Sequence, residues 1–203
     1  MGGEFSRSDV KDTIKPTTEK FKEIKPDTDI SKNEAKVFWD KTFDRANVDD
    51  KGKETRDGDA LKANNTFEKN GYKYKTDNQG RVVSAEGKLR LKDPEYVRDM
   101  EEINKGDQNY KKTDDRGHLI AHQFGGSDKL ENIVPMDAKL NQGDFASLEN
   151  SLAKAVENGS DVKLKVEPRY TDNTNRPSSF RVSYTINGEK TVRTFKNGGD
   201  SKS

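Results

Sequence analysis

The chain has no cysteine, so neither a disulfide framework nor a thiolate metal site is open to it, and any metal must be held by oxygen or imidazole. That donor set favours a hard divalent ion. Only two histidines are present, His118 and His122, which leaves few side chains able to accept a proton and stay neutral near pH 7. Apolar residues are scarce, at 28% against 37% charged, too few for all 203 residues to bury one tight core. The expectation is one domain with an appendage, or at most two small domains, with part of the chain disordered or waiting for a partner. No apolar run approaches a membrane span, and the N-terminus lacks the apolar core of a signal peptide, so an export address would lie on a larger parent chain. An excess of one charge is missing too. The net is +1, with residues 1–60 slightly acidic and the rest slightly basic, so nucleic-acid binding would require local clustering of positive charge.

What the chain does have is concentrated in Asp114-Asp115-Arg116-Gly117-His118-Leu119-Ile120-Ala121-His122-Gln123-Phe124-Gly125-Gly126. Both histidines, a cation and two adjacent carboxylates stand beside a short apolar run that stops at a Gly-Gly turn. A lone histidine is more often an ordinary surface or core imidazole than a catalyst. The following segment, Leu130-Glu131-Asn132-Ile133-Val134-Pro135-Met136 through Leu140-Asn141-Gln142-Gly143 to Glu149, changes those odds.

Together the two segments resemble the DNA/RNA non-specific endonucleases of the ββα-metal superfamily. That pattern is Asp-Arg-Gly-His, then Asn-Ile-x-Pro, then Leu-Asn-x-Gly with a Glu eight residues after the second Asn. The matching residues are Asp115, Arg116, Gly117, His118, Asn132, Pro135, Asn141, Gly143 and Glu149. The resemblance covers about residues 58–198. It is closest to the bacterial branch found as C-terminal toxin domains of secreted polymorphic toxins, including LXG-type type VII secretion effectors.

The resemblance implies an α+β fold: a ββα-metal (His-Me finger) nuclease core with an antiparallel sheet, preceded by a polar, partly disordered extension. It implies metal-dependent hydrolysis of phosphodiester bonds in DNA, and of RNA as an open question, with Mg²⁺ or Mn²⁺ as cofactor. His118 takes the role of general base. Asn141 offers its amide oxygen to the metal, and Glu149, about 12 Å further along an ideal helix axis, reaches the ion through bound water. Arg116 suits a bidentate grip on phosphate, although an ion pair with Asp115 or Glu131 is an alternative that does not exclude it. Asp115 orients, Asn132 ties the second strand to the site, and Gly117 lets the backbone come close. Two positions depart from the family: Met136 stands where Gln is common, and Ala153 where Arg is common, with Lys154 beside it. The same resemblance implies nucleic acid and a cognate immunity protein as partners. It implies secretion as part of a larger toxin acting in the target-cell cytoplasm, without a membrane partner.

Around the motif, residues 9–31 read as a linker broken by Pro16 and Pro26. Ser31 and Glu34 form a capping-box pair for a helix whose Trp39 and Phe43 share one face, which points to packing more than to base stacking. The charged, glycine-containing residues 49–59 suggest a boundary, giving an extension over 1–57, a nuclease domain over 58–198 and a tail over 199–203. Thr66–Lys69, Tyr72–Thr76 and Arg81–Ser84, joined at Asn70-Gly71 and Asp77-Asn78-Gln79-Gly80, read as a three-stranded meander. Pro94 opens a helical stretch to about Asn104. Leu119–Ala121 and Ile133–Val134 are expected as the two short strands of the motif. A helix through Phe145, Leu148, Leu152 and Val156 ends at Asn158-Gly159. Three further alternating strands follow, with Lys163, Lys165, Arg181 and Arg193 on the solvated side, where a phosphate-tracking role is the minority reading.

Two rival functions remain. His118 and His122 are spaced as a zinc pair on a helix would be, but Leu119 stands where a metalloprotease needs Glu. A catalytically inactive module that binds nucleic acid or the immunity protein would be marked by loss of His118 or Asn141, and both are present.

Overall fold

A computed structural model describes residues 47–92 and 108–198. The helices expected around Trp39 and after Pro94 fall outside these residues. All described residues belong to the compact unit Asp44–Ser203.

The alternating segments pair as their patterns demand. The strands β1 (Arg56–Asp57) and β2 (Ala60–Leu61) form a small hairpin of their own. The meander becomes β3 (Thr66–Lys69), β4 (Tyr72–Thr76) and β5 (Val82–Lys88). Asn70 and Gly71 both take positive φ, at 54° and 73°, the turn geometry that matches the twist of two antiparallel strands. In β4, Tyr72 and Tyr74 are buried while Lys73 and Lys75 are exposed, so one face packs and the other is wet. The C-terminal strands β8 (Val162–Arg169), β9 (Ser179–Ile186) and β10 (Glu189–Lys196) complete a six-stranded antiparallel sheet in the order β10-β9-β8-β5-β4-β3.

Between β5 and β8 the chain builds an antiparallel hairpin, β6 (Asp114–His118) and β7 (Ile133–Asp137). A helix follows at once. Asp137 caps it, its carboxylate accepting from the Lys139 and Leu140 amides, and α1 (Ala138–Leu140) runs through a π-helical turn (Asn141–Phe145) into α2 (Ala146–Glu157). Gly159, at φ 79°, ends it as the Asn-Gly pair suggested. This is the ββα order. Val134 and Met136 of the hairpin, and Leu140, Phe145, Leu148 and Leu152 of the helix, join one core with Tyr72, Val82, Val162, Val166, Phe180 and Val182 of the sheet.

Three expectations need correction. The first strand of the motif precedes His118 instead of leaving it. Leu119, Ile120 and Ala121 are buried, yet they lie in a loop whose amides bond to Asn132 and not to a strand. The boundary expected after residue 57 runs through the β1-β2 hairpin. Asp49 is buried with its carboxylate accepting the Lys51 and Lys53 amides, and Arg56 reaches Glu131 at 3.6 Å, so the charged segment is fastened to the domain. Last, Arg193 is solvated as expected, but it pairs with Val182 across β9-β10 and covers the Phe195 ring at 4.8 Å, which puts it on the opposite face of the sheet from Lys163, Lys165 and Arg181. Lys163, Lys165 and Arg181 do alternate with buried neighbours and lie on the outer face.

Two polar hubs fasten the hairpin to the end of the sheet. Arg176 makes two bonds of 2.7 Å to the buried carboxylate of Asp114, at the first residue of β6. The Asn197 amide donates to the carbonyls of Pro135 and Pro177 and accepts from the Asp137 N–H.

Candidate active site

The polar strand β6 distributes its residues between two clusters. In the first, the Asp115 carboxylate accepts from Asn141 Nδ2 at 3.0 Å and from Gln142 Nε2 at 2.8 Å. Asn141 sits inside the helix, at the start of the π-helical turn, and Asp137 does the capping that Asn141 would otherwise be suspected of. Irregular helical turns of this kind recur at functional positions. With Nδ2 given to Asp115, the amide oxygen of Asn141 has no hydrogen bond among the described residues.

Glu149 stands one helical turn from Phe145 and one from Ala153, both buried, so the helix turns it inward. Burial pushes its carboxyl up to about 7, and no cation or donor among the described residues offsets that. A half-buried carboxylate left in this state and an amide oxygen with no donor are hard oxygen groups of the kind a divalent cation takes, so the residues present fit such an ion. The described residues contain no cluster of three or more His, Asp and Glu side chains arranged as a ligand set, so water would supply the remaining ligands.

The second cluster gathers at Asp128, which the sequence reading passed over. Its side chain is 3% exposed. Oδ1 lies 2.8 Å from His118 Nε2, and Oδ2 lies 3.2 Å from His122 Nδ1. On its other side His122 Nε2 takes a 2.8 Å bond from the Lys92 ammonium. His118 ends β6 and His122 opens a short 3-10 turn, so the two do not share a helix as the zinc-pair rival required.

The loop joining the clusters is built around Asn132, which is fully buried. Its Oδ1 accepts from the Ile120 N–H, and its Nδ2 donates to the carbonyls of Ile120 and Ser127. Packing there leaves no slack: a Cβ on Gly126 would sit 1.9 Å from the Ile120 carbonyl oxygen. Gly117 is equally constrained, since a Cβ there would meet the Met136 Cβ at 2.5 Å. The meander holds the far side, with the Tyr72 hydroxyl donating to Phe124 O at 2.6 Å and Asn70 Nδ2 to Gly125 O at 3.2 Å.

Of the residues singled out in the sequence, Asp115 meets Asn141, Asn132 anchors the loop, and Gly117 is closely overlaid. Arg116 is half-buried and points its Nη2 at the Asp128 carbonyl, 3.5 Å away, while Glu131 is taken by Arg56 and Ser127. Met136 is fully buried against Gly117, which explains how an apolar residue stands there, and Ala153 packs in the core with Lys154 exposed. Lys163, Lys165 and Arg181 are not brought to the site. Lys165 pairs with Glu86 and Glu167, and Arg181 with Glu167. The missed residues, Asp128, Lys92 and Gln142, carry one weak signal: Asp128 is the first carboxylate after the Gly-Gly turn.

Comparison with known proteins adds three findings. The family model for DNA/RNA non-specific endonuclease matches residues 62–188. The chain is 34% identical over 134 residues to the type VII secretion system protein EssD of Staphylococcus aureus, strain USA300, covering 63% of this chain and 22% of that protein; the strain NCTC 8325 protein gives the same figures. The chain thus spans about a fifth of the length of the curated relatives it matches. Among solved structures, one described as Sda1 nuclease with bound zinc ion aligns over 62% of this chain and 75% of its own at 19% identity and TM-score 0.48. One described as an extracellular endonuclease aligns over 62% and 76% at 20% identity and TM-score 0.44.

Proposed function

The chain is an endonuclease of the DNA/RNA non-specific endonuclease family, and from that premise we propose that it cuts phosphodiester bonds of DNA, and of RNA as well, with His118 as general base and a divalent ion held at Asn141. Phosphodiester hydrolysis needs an activated water, neutralisation of the charge that builds on the phosphate, and help for the leaving oxygen. A bound Mg²⁺ or Mn²⁺ supplies the second and third of these by charge. The chain's own residues do the rest. His118 accepts the proton of the attacking water. Asp115 fixes the Asn141 amide so that its oxygen faces outward, and Glu149 steadies bound water at the same place. Arg116 grips the phosphate.

The observation that carries this reading is the Asn141 amide. Its nitrogen is tied to Asp115, its oxygen is without a donor among the described residues, and Asp115 stands three residues before His118 on β6. At roughly 3.3 Å per residue, about 10 Å of strand separates the Asp115 and His118 backbone positions.

The likeness to EssD supports a place in a longer secreted protein, in which this domain is a toxin that acts in the cytoplasm of a target cell and is neutralised by an immunity protein. Among the described residues no helix is long and apolar enough to cross a membrane. Plasmid DNA and a structured RNA incubated with the purified protein and Mg²⁺, with EDTA, and with His118→Ala test the proposal. Cutting that needs the metal and disappears in the variant is expected. Folded, inhibitor-free protein that cuts neither substrate with any of several divalent ions would sink it.

A further inference from the structure

The Asp128 carboxylate has no part in the scheme above, yet it is buried and lies between the two histidines of the chain. A buried carboxylate needs partners, and here they are imidazoles instead of a direct cation. The Arg116 guanidinium lies 3.5 Å from the Asp128 backbone carbonyl, and Lys92 is one residue removed, with its ammonium donating to His122 Nε2. Because that nitrogen accepts, a neutral His122 carries its proton on Nδ1, the atom 3.2 Å from Asp128 Oδ2. That approach lacks hydrogen-bond geometry, so Lys92 and His122 border Asp128 without forming a continuous hydrogen-bonded chain to it.

The same reasoning applies to His118. A carboxylate only accepts hydrogen bonds, so the 2.8 Å contact between Asp128 Oδ1 and His118 Nε2 requires the proton to sit on Nε2. Nδ1 is then the nitrogen left with a lone pair. We propose that Asp128 is a positioning residue that locks His118 in its Nε2–H tautomer and so makes Nδ1 the atom that takes the proton from water. This rests on His118 being the base.

The charged and titratable groups around His118 are Asp128 facing its Nε2, His122 and Lys92 behind Asp128, and Arg116 two residues back on the same strand. Asp128 supplies the anion that stabilises a protonated His118. Removing that charge should weaken the base and move the acid limb of the rate profile to lower pH, the direction opposite to that of a lost cation.

The test uses the full 203-residue chain. Nitrogen-15 NMR of the imidazole rings at a pH where His118 is neutral reads the tautomer directly, without any variant. Asp128→Asn and Asp128→Ala are then compared with wild type for plasmid cleavage against pH and for melting. The expected result is an Nε2–H His118 in wild type, a mixed tautomer in Asp128→Ala, and a fall in kcat of about 10²–10⁴-fold with KM little changed, as follows when a base loses its orienting carboxylate. A wild-type His118 protonated on Nδ1 would overturn the proposal even if neither variant folds. So would Asp128 variants with the wild-type tautomer and pH profile. If instead His118→Ala keeps full activity, the base assignment itself has failed; a dead His118→Ala beside fully active Asp128 variants defeats only the role given to Asp128.

Discussion

Truncating Asn132 should be among the costliest single changes in the domain. Asn132→Ala removes three hydrogen bonds of 2.8–2.9 Å and strips partners from the Ile120 N–H, the Ile120 carbonyl and the Ser127 carbonyl, all around a fully buried side chain. At about 1 kcal/mol net per bond, and about 1–3 kcal/mol for a buried group left unsatisfied, the loss is about 3–5 kcal/mol, with the lower figure applying if water enters the vacated space. A domain of this size holds on the order of 5–15 kcal/mol in total, so the variant should still fold, with a much lower urea midpoint and an unchanged m-value. Asn132→Asp separates hydrogen bonding from packing. It keeps the volume and the acceptor for the Ile120 N–H, yet it sets an anion against two carbonyl oxygens, so it should be worse than alanine. An aspartate variant as stable as wild type, or an alanine variant costing well under 1 kcal/mol, would refute the claim that this amide organises the loop.

Two further outcomes follow from named contacts. Gly117→Ala should destabilise by about 1–3 kcal/mol, because its new methyl meets the Met136 β-carbon as well as the Cε and Sδ at the end of that side chain; chemical denaturation should show that Met136→Ala, which keeps the β-carbon, gives only partial rescue. The Asp114–Arg176 pair makes an acid-sensitive joint between hairpin and sheet. Burial raises the Asp114 carboxyl, but the Arg176 bonds and the Lys111 amide outweigh it and hold it below the ordinary value of about 3.8. Its stabilisation is therefore present above that value and is lost as pH falls through the lower folded one, so wild type should lose stability there while Asp114→Asn, already weakened by about 3–5 kcal/mol at neutral pH, loses less; melting curves taken from pH 7 down to pH 2 check this.

How far the sequence could be read depends on what fixes each element. The strands β4, β8 and β9 alternate because one face of each meets the core, and the Asn-Gly turns at 70–71 and 187–188 take the positive φ values that pair of residues permits. Those signals are local, so they were legible. The strand β6 reads Asp-Asp-Arg-Gly-His and carries no apolar alternation; it is a strand only because the apolar Ile133–Asp137 segment pairs with it, and the neighbouring Leu119-Ile120-Ala121 offered a better-looking candidate. That run is apolar because it is buried in a loop, with Asn132 supplying the bonds that a strand would have supplied.

The same distinction separates the parts of the site. His118, Asn141 and Glu149 stand out because their spacing along the chain matches a family pattern, whereas Asp128 and Lys92 reach the histidines by closure of the fold, at sequence separations of 10 from His118 and 30 from His122. No periodicity marks such a contact in advance. A strand made of the least strand-like residues in the domain is, however, a local rule broken, and it has a physical compensation. Each polar side chain in β6 meets a partner outside the strand: Asp114 meets Arg176, Asp115 meets Asn141 and Gln142, Arg116 meets the Asp128 carbonyl, and His118 meets the Asp128 carboxylate. Chains keep such conflicts where function requires them. In β6 the conflict was readable from the sequence even though its partners were not, and the strand it marks is the one that carries the proposed base.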